Sequence, residues 1–210
     1  MTKIILTRHG HVEGIKPERF RGRAPLKLTE RGVAEAAALA QRIATRWRPG
    51  QIYTSPMGRC IETAAAIARA TGVAAETCDD LNDIDYGAWQ FRSFAEVKTQ
   101  DPALFAAWFA TPQLVRFPEG ESLQDLAART ANALRMMLAC HPDETVVLVG
   151  HDSVNRALLL QVLELPLSAY WRLAQEPCCI NEIDVSAGRV VVRSINATQH
   201  LEAVVTEHEG

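Results

Sequence analysis

An uninterrupted run of strand-forming residues, Thr145 to Val149, constrains the fold more than any other stretch of the chain. β-Branched residues and leucine without a polar interruption are typical of a strand that is buried on both faces. Such strands occur in parallel sheets that are covered by helices. The segment Gly150-His151-Asp152 follows at once, and a helix is predicted from about residue 154 to 163. The run therefore predicts a parallel sheet between two layers of helices.

The remainder of the chain alternates between strands and helices in the same way. Strands are predicted at about 3–6, 51–54, 73–77, 179–185 and 189–195, and helices at about 30–46, 55–70, 93–99, 102–111, 122–140 and 167–173. Thr29 and Ser122 are predicted N-caps, the latter with Asp125 as its capping-box partner, and Ser55-Pro56 is predicted to begin another helix. This alternation predicts an α/β fold, a three-layer α/β/α doubly wound and mostly parallel sheet.

A segment rich in aromatic residues interrupts the alternation. Between Tyr86 and Phe117 the chain carries eight of its thirteen aromatic residues, and two short helices there predict a small helical covering insert at about 86–118. Such an insert is either a satellite hydrophobic cluster or a lid whose apolar face shapes a substrate pocket. We expect one domain over residues 1–205 and a loose polar tail at 206–210.

The charge and cysteine content limit the functional classes. A net charge of −3 argues against a general nucleic-acid or anionic membrane surface, and no apolar run approaches the roughly 20 residues of a membrane span. No signal peptide is recognisable. The five cysteines lack metal-ligand spacing and suit free thiols in a reducing cytosol, so a cytoplasmic location is predicted. Apart from His9 and His11, the six histidines include no closely spaced pair, so no metal site is predicted.

Charged and ring-bearing side chains follow three of the predicted elements. Arg8 and His9 come directly after the first strand, Arg59 lies in the first turn of the helix after the second strand, and His151 follows the 145–149 run. Helical side chains lean toward the N-terminus, so Arg59 is expected to point at the end of its preceding strand. Because ligands of doubly wound sheets lie outside the carboxyl ends of the strands, we expect all four side chains to meet in one crevice.

Two arginines and two histidines around one point suit a phosphoryl dianion, since guanidinium groups offer paired donors that match phosphate oxygens. A neutral imidazole can attack phosphorus and form a covalent phosphohistidine, provided that its other ring nitrogen is a donor. The leaving alkoxide needs a proton, for which Asp83 and Asp85 are the candidates. Transfer to water would then release inorganic phosphate without a cofactor. The basic segment 11–28 is either a solvated loop or a loop that faces the anion.

Five short motifs in this order resemble the histidine phosphatase superfamily, and within it the phosphoglycerate mutase-like phosphatases. They are Arg8-His9-Gly10, Leu28-Thr29-Glu30-Arg31-Gly32, Ser55-Pro56-Met57-Gly58-Arg59, Gly120-Glu121-Ser122 and Val149-Gly150-His151. The resemblance implies a single phosphoglycerate mutase-like domain, with His9 as the phosphorylated nucleophile. It also implies that Arg8, Arg59 and His151 complete the phosphate pocket.

The same resemblance extends to the loop that closes over the phosphate, which Arg21 and Gly22 match. Asp152, directly after His151, is a further candidate for binding substrate. Three positions depart from the family pattern. Asp83 replaces the usual general-acid Glu, Ile15 stands where relatives commonly place an Asn, and His11-Val12 replaces the frequent Glu-Thr.

Hydrolysis of a small-molecule phosphomonoester is the favoured function. The mutases that the chain resembles usually follow the acid Glu with Arg-His and carry a longer insert, whereas Ile84-Asp85 follows Asp83 here. Mutase-type phosphoryl transfer is the main alternative, and a non-catalytic module that binds a phosphorylated ligand is the third. Sugar phosphates, phosphoserine and nucleotide-loop phosphates all remain open as substrates. The oligomeric state is open as well, with a homodimer as one alternative.

Overall fold

A six-stranded sheet forms the centre of the structure, which is a computed structural model describing residues 1–204. Its strands are β1 (Thr2–Arg8), β2 (Gln51–Thr54), β3 (Ala75–Thr77), β4 (Thr145–Gly150), β5 (Ile180–Ser186) and β6 (Arg189–Ala197). The strand order is β3-β2-β4-β1-β5-β6, in which the first four strands are parallel and the last two are antiparallel additions. The predicted α/β class with a mostly parallel sheet is confirmed.

Helices cover both faces of this sheet. They are α1 (Glu30–Arg46), α2 (Gly58–Thr71), α3 (Phe94–Gln100), α4 (Pro102–Ala110), α5 (Leu123–Cys140) and α6 (Asp152–Val162). Helices α1 and α2 pack against each other and share one hydrophobic cluster with one sheet face, whereas α5 and α6 share a second cluster with the other. Successive strand residues supply opposite faces, since Val146 and Leu148 belong to the second cluster and Val147 and Val149 to the first. This burial on both faces explains the continuous apolar run in β4.

The start of α2 differs from the sequence prediction. Ser55-Pro56 was expected to open this helix, but α2 begins at Gly58 with Met57 as its N-cap. The Ser55 hydroxyl is hydrogen-bonded to Nε2 of His151 at 2.8 Å and accepts from the backbone N–H of Met57 at 3.3 Å, so it lies just before the helix. The predicted N-caps Thr29 and Ser122 are confirmed, the latter with the capping box to Asp125.

The aromatic insert is continuous with the main core. Both predicted short helices are present as α3 and α4, and the predicted helix at 167–173 is a 3-10 helix over Leu167–Arg172. Trp89, Trp108 and Phe117 belong to the same buried cluster as residues of β1, β4 and α6, which argues against a separate satellite cluster. The predicted tail at 206–210 lies outside the described residues. None of the helices in residues 1–204 has the length and apolar character of a membrane span.

Candidate active site

The carboxyl ends of β1 and β4 bring two histidines together. These strands are neighbours in parallel register, and the backbone N–H of His9 donates to the carbonyl of Gly150 at 3.0 Å. The rings of His9 and His151 consequently lie 5.2 Å apart between centroids. Arg59, in the first turn of α2, donates from Nε to Nε2 of His9 and from Nη2 to Nδ1 of His151, each at 3.1 Å. The structure thus places the predicted side chains in one buried cluster.

The tautomer and the charge of His9 follow from its surroundings. Its Nδ1 lies 2.7 Å from the carbonyl of Gly10, which can only accept, so Nδ1 carries the proton and Nε2 keeps its lone pair. Burial, together with the charges of Arg59 and Arg8 and the proximity of His151, holds the pKa of His9 well below its usual range. Burial and the arginines lower the pKa of His151 in the same direction. Nε2 of His9 and Nδ1 of His151 each accept an N–H of Arg59, which can only donate, so the hydrogen bonds are those of two neutral imidazoles.

We expect the His9 ring to remain neutral at pH 6.5, where an ordinary histidine is about half protonated. The reason is that protonation would place a second charge beside the Arg59 guanidinium in a buried site. A pH titration of the His9 Cε1 proton by NMR measures this, and the same protein unfolded in urea provides the reference titration. A His9 midpoint in the folded protein equal to that of the unfolded chain would contradict the expectation.

Arg8 supplies donors that the protein itself does not use. Its side chain is 5% exposed, and Nη1 donates to the carbonyl of Gln175 at 2.6 Å. Its Nε and Nη2 atoms are buried and have no hydrogen-bond acceptor within residues 1–204. A buried donor without an acceptor costs about 1–3 kcal/mol, so this guanidinium is suited to an anion that enters the site. Arg8 lines a cavity of about 340 Å³ that Asp83 also borders.

Arg59 is held on all sides by acceptors. Nη1 donates to the carbonyl of Ala24 at 2.9 Å, and Nη2 donates to the carbonyl of Gly22 at 2.6 Å and to Oδ2 of Asp83 at 2.9 Å. The guanidinium is fully buried, which makes each of these contacts necessary to offset the cost of desolvating its charge. Segment 11–28 therefore faces the site through its backbone carbonyls as well as through its basic side chains.

The two candidate acids have different environments. Oδ2 of Asp83 lies 3.4 Å from Nδ1 of His151, and its Oδ1 accepts from the Ser153 hydroxyl and from the backbone N–H of Ile84. Burial raises the pKa of the Asp83 carboxyl in spite of the nearby Arg59 charge. Asp85 instead pairs with Arg23 at 3.4 Å and has a side chain that is about one-third exposed. Only Asp83 of this pair borders the cavity of Arg8.

Asp152 lies between two arginines at the amino end of α6. Its Oδ2 is 3.4 Å from Nη2 of Arg21 and 3.4 Å from Nη1 of Arg156. Burial alone would raise the pKa of the Asp152 carboxyl, but the charges of Arg8, Arg21 and Arg156 outweigh burial and hold the pKa far below its usual range. Asp152 and Arg21 line the same cavity as Arg8, as does Gly22. All three predicted substrate-binding residues are therefore beside the cluster.

Gly22 has a backbone conformation that other residues adopt at a cost. Its φ angle is +41°, and a Cβ at this position would lie 2.6 Å from Oε1 of Gln90 and 2.8 Å from the Tyr86 ring. We expect Gly22→Ala to lower the free energy of unfolding by about 1–3 kcal/mol and to lower turnover, because its carbonyl holds Arg59. Urea unfolding and steady-state kinetics measure both effects. Gly58→Ala is the matched control, since a Cβ there meets nothing within 4 Å; equal effects of the two substitutions would contradict the prediction.

Several residues at the site were not found from the sequence. Ser55 and Ser153 orient His151 and Asp83, but an isolated serine carries no distinguishing signal. Arg156 borders the cavity as well, and its spacing of four residues from Asp152 on one helix could have identified it. Glu121, in the Gly120-Glu121-Ser122 motif, accepts from Arg129 and Arg23 and from the backbone N–H of Asp85. That motif therefore supports the turn that carries Asp83.

No group of three or more histidine, cysteine or acidic side chains in residues 1–204 is arranged to hold a metal ion. The positive charge of the site comes from Arg8 and Arg59, and Arg21 adds to it at the cavity wall. A doubly wound α/β sheet with neutral histidines and buried arginines at its strand ends defines a phosphatase that acts on phosphate esters. The chain belongs to the histidine phosphatase superfamily (branch 1), whose pattern matches residues 4–198.

Comparison with known proteins gives relatives over the full length. Phosphoserine phosphatase 1 of Hydrogenobacter thermophilus is 33% identical over 211 aligned positions, covering 100% of both chains. The protein named Probable phosphoglycerate mutase GpmB of Proteus mirabilis is 33% identical over 184 residues, covering 88% of this chain and 85% of its own. The solved structure of Bacillus stearothermophilus YhfR has a TM-score of 0.90 at 28% identity, covering 96% of this chain and 100% of that chain. The likeness thus includes both fold and sequence.

Proposed function

We propose that the chain is a metal-independent phosphomonoesterase that passes the phosphoryl group of a small organic phosphate first to His9 and then to water. The observation that carries this proposal is the pairing of a neutral imidazole, with its lone pair on Nε2, with the unsatisfied donors of Arg8. Arg8 ends β1 and His9 follows it directly, so the nucleophile and the anion-binding group are adjacent in the chain. Phosphoryl transfer depends mainly on such positioning and on neutralising charge.

In the first step, Nε2 of His9 attacks phosphorus and the bond from phosphorus to the ester oxygen breaks. Arg8 and Arg59 stabilise the negative charge on the phosphoryl oxygens, and His151 can add its Nε2–H, which bonds Ser55 in the free protein, as a further donor. Asp83 gives its proton to the leaving alkoxide, for which a carboxyl with a raised pKa is suited because it keeps that proton to higher pH. The products of this step are the free alcohol and phosphohistidine. Arg59 must release Nε2 of His9 for the attack to occur.

In the second step, water attacks the phosphohistidine. The Asp83 carboxylate takes a proton from that water as the new bond to phosphorus forms, and the bond from Nε2 to phosphorus breaks. Inorganic phosphate leaves, and His9 and Asp83 return to their starting forms. The charges that a metal ion would supply are provided by guanidinium groups, so the scheme has no step that requires a metal.

A mutase is the second candidate, because one relative of 33% identity bears that name. A mutase returns the phosphoryl group to a bound acceptor and excludes water. An assay that follows inorganic phosphate and isomerised product together distinguishes the two reactions. We expect stoichiometric phosphate release from phosphomonoesters. Conversion of 3-phosphoglycerate to its isomer without phosphate release would replace the proposal with the mutase, and a wild-type rate no faster than that of His9→Ala would favour a binding module.

Three further predictions accompany the proposal. We propose that the segment 86–118 acts as a lid, because Tyr86, Phe94 and Trp108 line the cavity beside the phosphate site. We propose that residues 1–205 act as one domain. A cytoplasmic location remains a prediction that rests on the five cysteines, which are all free thiols.

A further inference from the structure

The cavity beside the phosphate site continues past Arg8 to a wall of aromatic and charged side chains. Its lining includes Trp108 and Trp171 from the covering segments and Arg156 from α6. The phosphoryl chemistry proposed above uses none of these three residues. They lie where the organic part of a substrate would extend once its phosphate reached His9 and Arg8.

Trp108 holds a donor without an acceptor. Its side chain is fully buried, and its indole Nε1 has no hydrogen-bond partner within residues 1–204. By contrast, the indole N–H of Trp171 donates to the Trp108 carbonyl at 2.8 Å. An indole N–H can only donate, so the group that satisfies it must present an acceptor. The cavity lining therefore contains two residues, Arg8 and Trp108, that each have an unsatisfied buried donor.

Arg156 has a fixed position at the same wall. Nε donates to the carbonyl of Leu173 at 2.7 Å, and the guanidinium lies over the rings of Tyr170 and Trp171 at 5.2 and 5.1 Å from their centroids. Its contact with Asp152 is long, at 3.4 Å. Stacking on two rings immobilises the planar donor group before any ligand arrives, which reduces the entropic cost of binding.

The charges at this wall indicate the kind of group that it would accept. Asp152 is shared by Arg21 and Arg156, so the three side chains together carry one net positive charge. Away from Arg8 and Asp83, the other charged residues of the lining carry two charges of each sign, which cancel; they are Lys16, Arg19, Glu18 and Glu176. One net positive charge beside the donors of Arg156 and Trp108 matches a monoanion with acceptor oxygens. A second phosphate dianion would exceed that charge, and an ammonium group would meet two arginines. A carboxylate satisfies both requirements, and its two oxygens fit the guanidinium geometry.

We propose that Arg156, assisted by the indole N–H of Trp108, binds a carboxylate on the alcohol part of the substrate. This inference rests on the proposed phosphatase function and narrows its substrate class to phosphomonoesters of carboxylic acids. Arg156 is then a specificity-determining residue. Asp152 pairs with both Arg156 and Arg21 and partly neutralises them.

Two substrate pairs that differ in the carboxylate test the proposal. O-Phosphoserine and O-phosphoethanolamine differ only by that group, and 3-phosphoglycerate and glycerol 3-phosphate provide a second comparison. We expect the wild-type kcat/KM to favour the carboxylate member of each pair by about 10- to 100-fold, the effect of a charged hydrogen bond. Arg156→Gln is expected to reduce this ratio by about tenfold or more, with most of the change in KM. Arg156→Lys should restore part of the ratio because it keeps the charge without the planar fork.

The matched control is Arg172→Gln, which makes the same change at an exposed arginine outside the cavity lining. We expect it to keep the wild-type substrate ratio. If Arg156→Gln does not fold, Trp108→Phe gives a second measurement, since it removes the donor and keeps an aromatic ring. A wild-type ratio near one, or equal losses on both members of each pair in the Arg156 variants, would overturn the proposal while leaving the phosphatase intact. Absence of phosphate release from every substrate would instead contradict the proposed function.

Discussion

His9→Ala is expected to lower phosphomonoester turnover by roughly 10⁴-fold or more, the scale of loss when a covalent nucleophile is removed. The variant should also fail to acquire label from a radioactive phosphate donor after acid-free quenching. Steady-state rates and quenched labelling of the purified protein measure the two effects.

The control for this experiment is His11→Ala, the same change two residues along the chain. His11 bonds the side chain of Thr29 through Nδ1 and, unlike His9, has no hydrogen bond to Arg59 among the described residues. The His11→Ala variant should acquire the phosphate label and turn over substrate. Thermal unfolding should show that His9→Ala remains folded but is less stable, because the buried Nε of Arg59 loses its acceptor. Labelling of His9→Ala at the wild-type level would exclude the phosphohistidine intermediate at this position.

Asp83→Asn is expected to slow hydrolysis of alkyl phosphates by about 10²- to 10⁴-fold, the range for loss of a general acid. The effect on p-nitrophenyl phosphate should be far smaller, because nitrophenolate leaves without a proton. The amide keeps the shape and the acceptor of the carboxyl but cannot deliver the proton. Comparing kcat for the two substrate types across pH measures the difference. With alkyl phosphates, wild-type activity should fall as pH rises through the raised Asp83 pKa, because the acid form is then lost.

Asp85→Asn is the matched control for this substitution. Asp85 pairs with Arg23 and accepts from the backbone N–H of Gly87, so its loss should affect the turn and not the proton transfer. Any decrease in rate should then be similar for both substrate types. Equal losses on both substrates in Asp83→Asn, or a leaving-group effect in Asp85→Asn, would remove Asp83 from the acid role.

The layer order and the meeting point of the site residues were predictable from the sequence. A parallel strand buried on both faces forces helices onto both sides, and its carboxyl end fixes where Arg8, His9 and His151 emerge. Both features follow from the hydrophobic periodicity of each segment and from the direction of the chain, and both can be read from short stretches of sequence. The structure shows that Arg8, His9, Arg59 and His151 lie near one another. Their chemical roles stay predictions.

Other features depended on contacts between distant segments. Ser55-Pro56 has the local pattern of a helix start, but Ser55 bonds His151, which is 96 residues away in the chain. No local pattern distinguishes Asp83 from Asp85, and only the family resemblance favours Asp83; in the structure Asp83 pairs with Arg59 and Asp85 pairs with Arg23. The cavity wall at Arg156 likewise needs the fold of 167–172 for its aromatic support. No local pattern encodes such pairings.

The hydrogen bond from Arg59 to His9 has a consequence for the protein before substrate binds. The guanidinium of Arg59 donates to Nε2 of His9, the nitrogen that attacks phosphorus. When a phosphate dianion binds, this guanidinium can exchange the imidazole for a phosphate oxygen. The exchange frees Nε2 and neutralises part of the incoming charge. An uncharged electrophile provides no acceptor to replace the imidazole, so the hydrogen bond from Arg59 to Nε2 of His9 stays in place. We therefore expect an uncharged alkylating reagent to react slowly with His9 in the protein without substrate.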